Sequence, residues 1–171
     1  MFAPQMDTLK YIFLGIGTNM GDKVSNISTA YQFIQSKIGT IINQSKIYQT
    51  PPWGFKSDQD FYNTIVKVKT QLTAKEALTE LKKIENVMGR NQKLKIGYSS
   101  RIIDIDIIDY NGETLNDSTL TIPHSHCHSR NFVLYPLKEI EPFWTHPTLH
   151  KTVGNLIENQ DFDSKISIVN V

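Results

Sequence analysis

Arg101-Ile102-Ile103-Asp104-Ile105-Asp106-Ile107-Ile108 decides how this chain is read. Isoleucine alternates with aspartate, the period-two pattern of a strand. Ile103, Ile105 and Ile107 therefore share one face, and Asp104 and Asp106 the other. Two carboxylates so placed stand about 6–7 Å apart. Aspartate is disfavoured in strands, and side-by-side like charges repel unless something positive lies between them. Just upstream, Lys82, Lys83, Arg90, Lys93, Lys95 and Arg101 are opposed only by Glu85, whereas Asp104, Asp106, Asp109 and Glu113 follow with no base among them. Bases running into paired carboxylates suit a polyphosphate with its metal. Arginine clamps phosphate oxygens and carboxylates hold the hard cation that bridges them. The plainer alternative is a solvated helix end followed by an exposed strand face.

Outward from this strand, the pattern alternates between elements. Tyr11 to Ile16 reads as a strand ending at glycines. Val24 to Ile38 carries Ile27, Ala30, Tyr31, Phe33, Ile34 and Ile38 at helical spacing, closed by Gly39. Ile41 to Thr50 reads as one strand stopped by Pro51 and Pro52. Phe61 to Thr70 is a strand with Tyr62, Thr64, Val66 and Val68 on its core side and a mixed second face. Thr73 and Glu76 form a capping box for a helix through Leu78, Leu81, Ile84, Val87 and Met88. Beyond the central strand, Asn111-Gly112 marks a turn. Ser129 to Ile140 contains a helix striped by Leu134, Leu137 and Ile140. Val153 to Ile157 suggests a short helix, and Lys165 to Val171 an edge strand. The order β-α-β-β-α-β with a C-terminal extension predicts an α+β, ferredoxin-like sandwich. The expectation is one domain over residues 1–171, with 1–9 a flexible N-terminal extension.

Composition narrows the function. At 171 residues and 39% hydrophobic, the chain can bury a core without staples. A single cysteine, Cys127, excludes an internal disulfide framework and a Cys-rich zinc module. A net charge of +1 suits neither nucleic acid nor an anionic membrane as partner. No apolar run approaches the ~20 residues of a bilayer span, and MFAPQMDTLK lacks a signal pattern. A cytoplasmic chain is expected, its three Asn-x-Ser triplets unglycosylated. Gly15, Gly17 and Gly21 are spaced one residue too long for a dinucleotide fingerprint, and no acid occurs between Lys23 and Lys56. No P-loop is present. His124, His126, Cys127 and His128 are too closely spaced for a usual zinc site, so one histidine is expected on phosphate and the others at the surface or in packing. Phe61, Trp53, Tyr98 and Phe132 are either core and loop anchors or the walls of a slot for a flat heterocycle. The RNA-recognition module that shares this fold wants a K/R-G-F/Y-G/A-F-V-x-F/Y run, which is absent. A different two-metal nucleotidyl transferase or cyclase on the same fold stays open.

Four stretches together resemble the 6-hydroxymethyl-7,8-dihydropterin pyrophosphokinases of folate biosynthesis. They are Gly17-Thr-Asn-Met-Gly-Asp22, Tyr48-Gln-Thr-Pro-Pro52 with Phe61-Tyr-Asn63, Arg101-Ile-Ile-Asp-Ile-Asp106, and Ile122-Pro-His124 with Arg130-Asn-Phe132. The resemblance implies transfer of diphosphate from ATP to the pterin hydroxymethyl group with release of AMP; a monomer is the separate expectation for the chain. It implies two Mg2+ ions on Asp104 and Asp106, which with Arg90 and Arg101 form the catalytic set. Phe61 and Phe132 would stack on the pterin, with Asn63, Thr50, Pro51 and Trp53 around its edge. Arg90, Arg101, His124 and Arg130 would contact ATP phosphates, Tyr98 would sit in a closing loop, and Glu85 and Thr121 would lie near the nucleoside. Two departures stand out: Ser99-Ser100 replace a usual Gly-Pro, and Gln92 replaces a loop arginine.

Overall fold

The computed structural model describes residues 9–54, 58–89, 100–162 and 165–171. The expectations placed on Arg90, Gln92, Tyr98 and Ser99, and on residues 1–8, fall outside these.

The elements follow the expected order. Strand β1 (Lys10–Thr18) leads into helix α1 (Lys23–Lys37), whose N-cap Asp22 accepts the Ser25 amide. Gly39 follows α1; a Cβ there would lie 2.2 Å from the Lys69 carbonyl, so only glycine lets the chain pass. Next come β2 (Thr40–Gln44), β3 (Tyr48–Thr50) and β4 (Phe61–Thr70). Helix α2 (Ala74–Val87) begins with the Thr73–Glu76 capping box, both halves formed. It is followed by β5 (Asp104–Tyr110), the two-residue strands β6 (Leu115–Asn116) and β7 (Thr121–Ile122), α3 (Asn131–Ile140), α4 (Val153–Glu158) and β8 (Ser167–Ile168). No helix among the described residues is long and apolar enough to cross a membrane.

The main sheet is ordered β5-β1-β4-β3-β8, with β2 also on β4, and every pairing in it is antiparallel. This is the ferredoxin-like order, with its second strand split into β2 and β3. From its residues alone, Ile41 to Thr50 reads as one unbroken strand. The break has a local cause: the ladder slips between Ile41 and Asn43, and Ser45 turns inward instead. There the Ser45 hydroxyl accepts the Ile65 amide at 3.0 Å and shares a hydrogen bond with Thr64.

Helices α1 and α2 cover one face of the sheet, burying Ile12, Leu14, Ile16, Val66, Val68, Ile103 and Ile105 with Ile27, Ile34 and Leu81. The other face is also covered. Phe13, Ile65 and Ile108 pack under α3 and α4 against Val133, Leu134, Leu137 and Leu156. Hence β4 is apolar on both sides at its centre, and the mixed face read from Phe61, Asn63, Ile65, Lys67 and Lys69 is open only towards its ends. Helix α3 matters for function because Arg130 caps it and Phe132 lies in its first turn.

Leu134 is fully buried between α3 and the sheet. Leu134→Ala should cost about 2–5 kcal/mol in urea unfolding. It should weaken ligand binding at the α3 N-terminus more than any change at the α1 surface does.

Candidate active site

A cavity of about 380 Å3 opens on the α3 side of the sheet. Its floor is set by register: in β1, Gly15 lies between Asp106 and Ile65, and Gly17 between Asp104 and Asn63. The two glycines read above as a failed nucleotide fingerprint are thus a floor without side chains. A Cβ on Gly17 would come 3.2 Å from Asn63 Oδ1, and one on Gly15 3.1 Å from Ile108 Cδ1.

One end of the cavity is aromatic and amide-lined. Thr50, Pro51, Trp53, Phe61, Asn63 and Phe132 all face it. Asn63 and Thr50 are buried, and the Asn63 Nδ2 donates to Thr50 Oγ1 at 2.9 Å. Adjacent strands fix this pair, because Thr50 lies opposite Phe61 in the β3–β4 ladder. The amide is therefore held in one orientation before any ligand arrives.

The other end is charged, lined by Arg101, Asp104, Asp106 and His124, with Arg130 between the two ends against Trp53 and Phe132. The Arg101 Nη1 donates to Asp104 Oδ2 at 2.6 Å. Arg101 is itself pinned by its backbone: its amide donates to Asn19 Oδ1 at 2.8 Å, and its carbonyl accepts from the Asn19 amide. The Asn26 side chain ties the same turn together by donating to the Met20 and Ile102 carbonyls. Asn19 and Asn26 were not singled out from sequence. The sequence signal for Asn19 is an asparagine directly after a strand, in Gly17-Thr-Asn-Met-Gly-Asp22.

Burial, reinforced by the negative charge of Asp104, pushes the Asp106 carboxyl up to about 7. Burial likewise pushes His124 down to about 4, helped by the positive Arg130. His124 is then neutral near pH 7, so its 3.8 Å approach to Asp106 is not an ion pair there. Paired carboxylates that resist joint ionisation are a donor set suited to a hard divalent cation, which needs one or two carboxylates and takes its remaining oxygens from water and phosphate. Among the described residues, no three His, Cys, Asp or Glu side chains converge on a metal position. The histidine run diverges: Cys127 is buried in the second core, with its thiol raised to about 12, and His128 turns to His146.

Glu85 and Thr121, the two residues expected near a nucleoside, do not line this cavity. Glu85 is fully buried behind the cavity, where Oε1 accepts the Ile105 amide at 2.8 Å and Oε2 pairs with Lys82 at 3.0 Å. It thereby holds the backbone between the two aspartates on the open edge of β5. Thr121 is exposed and lines a separate cavity with His124, Asn116 and His146.

The sequence model of a family described as 7,8-dihydro-6-hydroxymethylpterin-pyrophosphokinase (HPPK) matches residues 13–142. A 2-amino-4-hydroxy-6-hydroxymethyldihydropteridine pyrophosphokinase of Aquifex aeolicus is 38% identical over 140 residues, covering 82% of this chain and 86% of its own. The similarly named protein of Porphyromonas gingivalis is 36% identical, covering 80% and 93%. The folic acid synthesis protein FOL1 of Dictyostelium discoideum is 39% identical over 85% of this chain, which spans only 22% of that longer protein. A solved structure described as an HPPK-DHPS in complex with substrates superposes with a TM-score of 0.74 at 18% identity, over 88% of this chain and 43% of that one. At that identity the superposition speaks to fold alone.

Gly17→Ala should push Asn63 off its bond to Thr50, weakening binding of a ligand at the aromatic end several-fold in a titration while leaving the charged end unaffected. Asp106→Asn should raise the melting temperature at pH 8 by about 2–4 °C, the shift that ~1 kcal/mol makes in a chain of this length. The figure is held low because the side chain is still 38% open to water. A raised folded-state value means that the native protein binds a proton the unfolded chain does not, between about pH 4 and 7. The advantage of asparagine should therefore shrink as pH falls through about 7.

Proposed function

Since the chain belongs to the 7,8-dihydro-6-hydroxymethylpterin-pyrophosphokinase family, we propose that it transfers the diphosphate of ATP to the hydroxymethyl group of 6-hydroxymethyl-7,8-dihydropterin, releasing AMP, in folate biosynthesis. The observation that carries this reading is the two-ended cavity: an aromatic, amide-lined end and an acidic, arginine-lined end lie on one floor. A flat heterocycle and a polyphosphate bound together there would meet at its middle.

The family's aromatic pair, Phe61 and Phe132, would stack on the pterin. Buried Asn63 and Thr50, with the backbone of Pro51 and Trp53, would pair with its polar edge. A buried amide of fixed orientation rejects a ring with the wrong donor pattern, because the unmatched group would stay unpaired. Asp104 and Asp106 would hold two Mg2+ ions, which when bound offset charge on the phosphates and acidify the attacking hydroxyl. The hydroxymethyl oxygen attacks the β-phosphorus, the bond to the α-phosphate oxygen breaks, AMP leaves, and the hydroxyl proton is lost to water. Arg101, already oriented by Asn19 and Asp104, and Arg130 would bind phosphate oxygens, and neutral His124 would donate a hydrogen bond to one. Arg90 and Tyr98 complete this reading from outside the described residues. Phosphoryl-type transfer asks mostly for such positioning and charge neutralisation, so no covalent intermediate is needed. The same reading takes residues 1–171 as one domain that works as a cytoplasmic monomer.

Product analysis tests it. The protein mixed with MgATP and 6-hydroxymethyl-7,8-dihydropterin should form AMP only when pterin is present. Asp104→Ala or Asp106→Ala should each lower turnover at least about a hundred-fold. ADP as product, AMP without pterin, or near-normal turnover in either variant would refute the assignment.

A further inference from the structure

We propose that Trp53 is a positioning residue for Arg130, holding its guanidinium at the junction of the two ends of the cavity so that it meets the phosphate chain of the ligand. This rests on the pterin–polyphosphate reading above and adds to it a residue that works across the cavity rather than at the ring it adjoins.

The geometry is specific. The Arg130 guanidinium carbon lies 4.6 Å from the centre of the Trp53 ring and 5.6 Å from that of Phe132. The cation thus stands between a tryptophan of the β3–β4 loop and an aromatic wall at the start of α3. The His126 ring flanks the same tryptophan at 5.9 Å and leads on to His124 at 6.2 Å. The backbone of Arg130 cannot wander, because its carbonyl accepts the amides of Val133 and Leu134 as the cap of α3. Only the long side chain needs orienting, and it is 6% exposed in this arrangement. Its charge reaches the acidic end, favouring the ionised form of Asp106 and disfavouring protonation of His124.

An arginine chain loses much rotamer freedom when it binds phosphate, and an aromatic face that holds it beforehand removes part of that cost. Guanidinium stacking suits the task, since a cation held by its flat faces still presents its donors in the plane, where a phosphate can meet two at once. A leucine or alanine at position 53 could fill space but could not hold the cation. One such contact should be worth about a two- to five-fold change in affinity.

The test is a double-mutant cycle on binding of magnesium tripolyphosphate by calorimetry, a probe that requires no turnover. Trp53→Leu should weaken binding about two- to five-fold, and Trp53→Phe, which keeps a ring face, should stay within two-fold of the native protein. Arg130→Gln should weaken it further, and Trp53→Leu added to Arg130→Gln should cost nothing more. Melting temperatures and far-ultraviolet circular dichroism check that each variant is folded. Unchanged affinity in Trp53→Leu, or its full loss repeated on the Arg130→Gln background, overturns the proposal, as does a native protein that does not bind tripolyphosphate. If the cycle couples as expected while no AMP forms from ATP and pterin, the reaction assignment fails and the role of Trp53 stands.

Discussion

Two carboxylates two residues apart on one strand face can stand side by side only if the surrounding chain holds them there and supplies positive charge. Much of this structure answers that requirement. Arg101 lies on Asp104, and Asn19 and Asn26 clamp the turn that delivers Arg101. Glu85, from the neighbouring helix, grips the amide between the two aspartates. Burial first, and the charge of Asp104 second, hold the Asp106 carboxyl high, so the repulsion is contained rather than abolished. A site that binds a cation well is necessarily uncomfortable without one, so affinity and strain here share one origin.

Much of this was legible in the sequence, for identifiable reasons. Alternation at Ile103 to Ile107, the helical stripes and the Thr73–Glu76 box are local signals that need no partner to be read. The aspartate pair and the aromatic and amide residues were legible because each is unusual where it stands. What was not legible depends on partners distant in the chain. Ser45 breaks the second strand only because Ile65 and Thr64, some twenty residues away, offer it a bond. The second face of β4 reads as mixed until α3 is known to lie on Ile65. Glu85 looks like one acid among bases, and only the fold buries it against Ile105.

The glycines of β1 show the same limit from the other side. Their spacing invites a dinucleotide-binding fingerprint and misses it by one residue, yet their absence of side chains is used. Glycine inside a strand costs backbone entropy and often marks a place where something must approach closely. Here the approaching groups are Asn63 and Ile108 from the neighbouring strands, and the space above them is the cavity.

Strand β5 lies at the end of the sheet, a position where unpaired amides and carbonyls invite a strand from another molecule. Two of its outward groups are already taken, the Ile105 amide by Glu85 and the Ile108 carbonyl by the His124 amide. The side chains beside them include the two aspartates. A second copy docking edge to edge would have to displace a buried carboxylate and set its own aspartates against these. The residues that hold and gather charge at the cavity thus also stand against strand pairing at this one edge of the sheet.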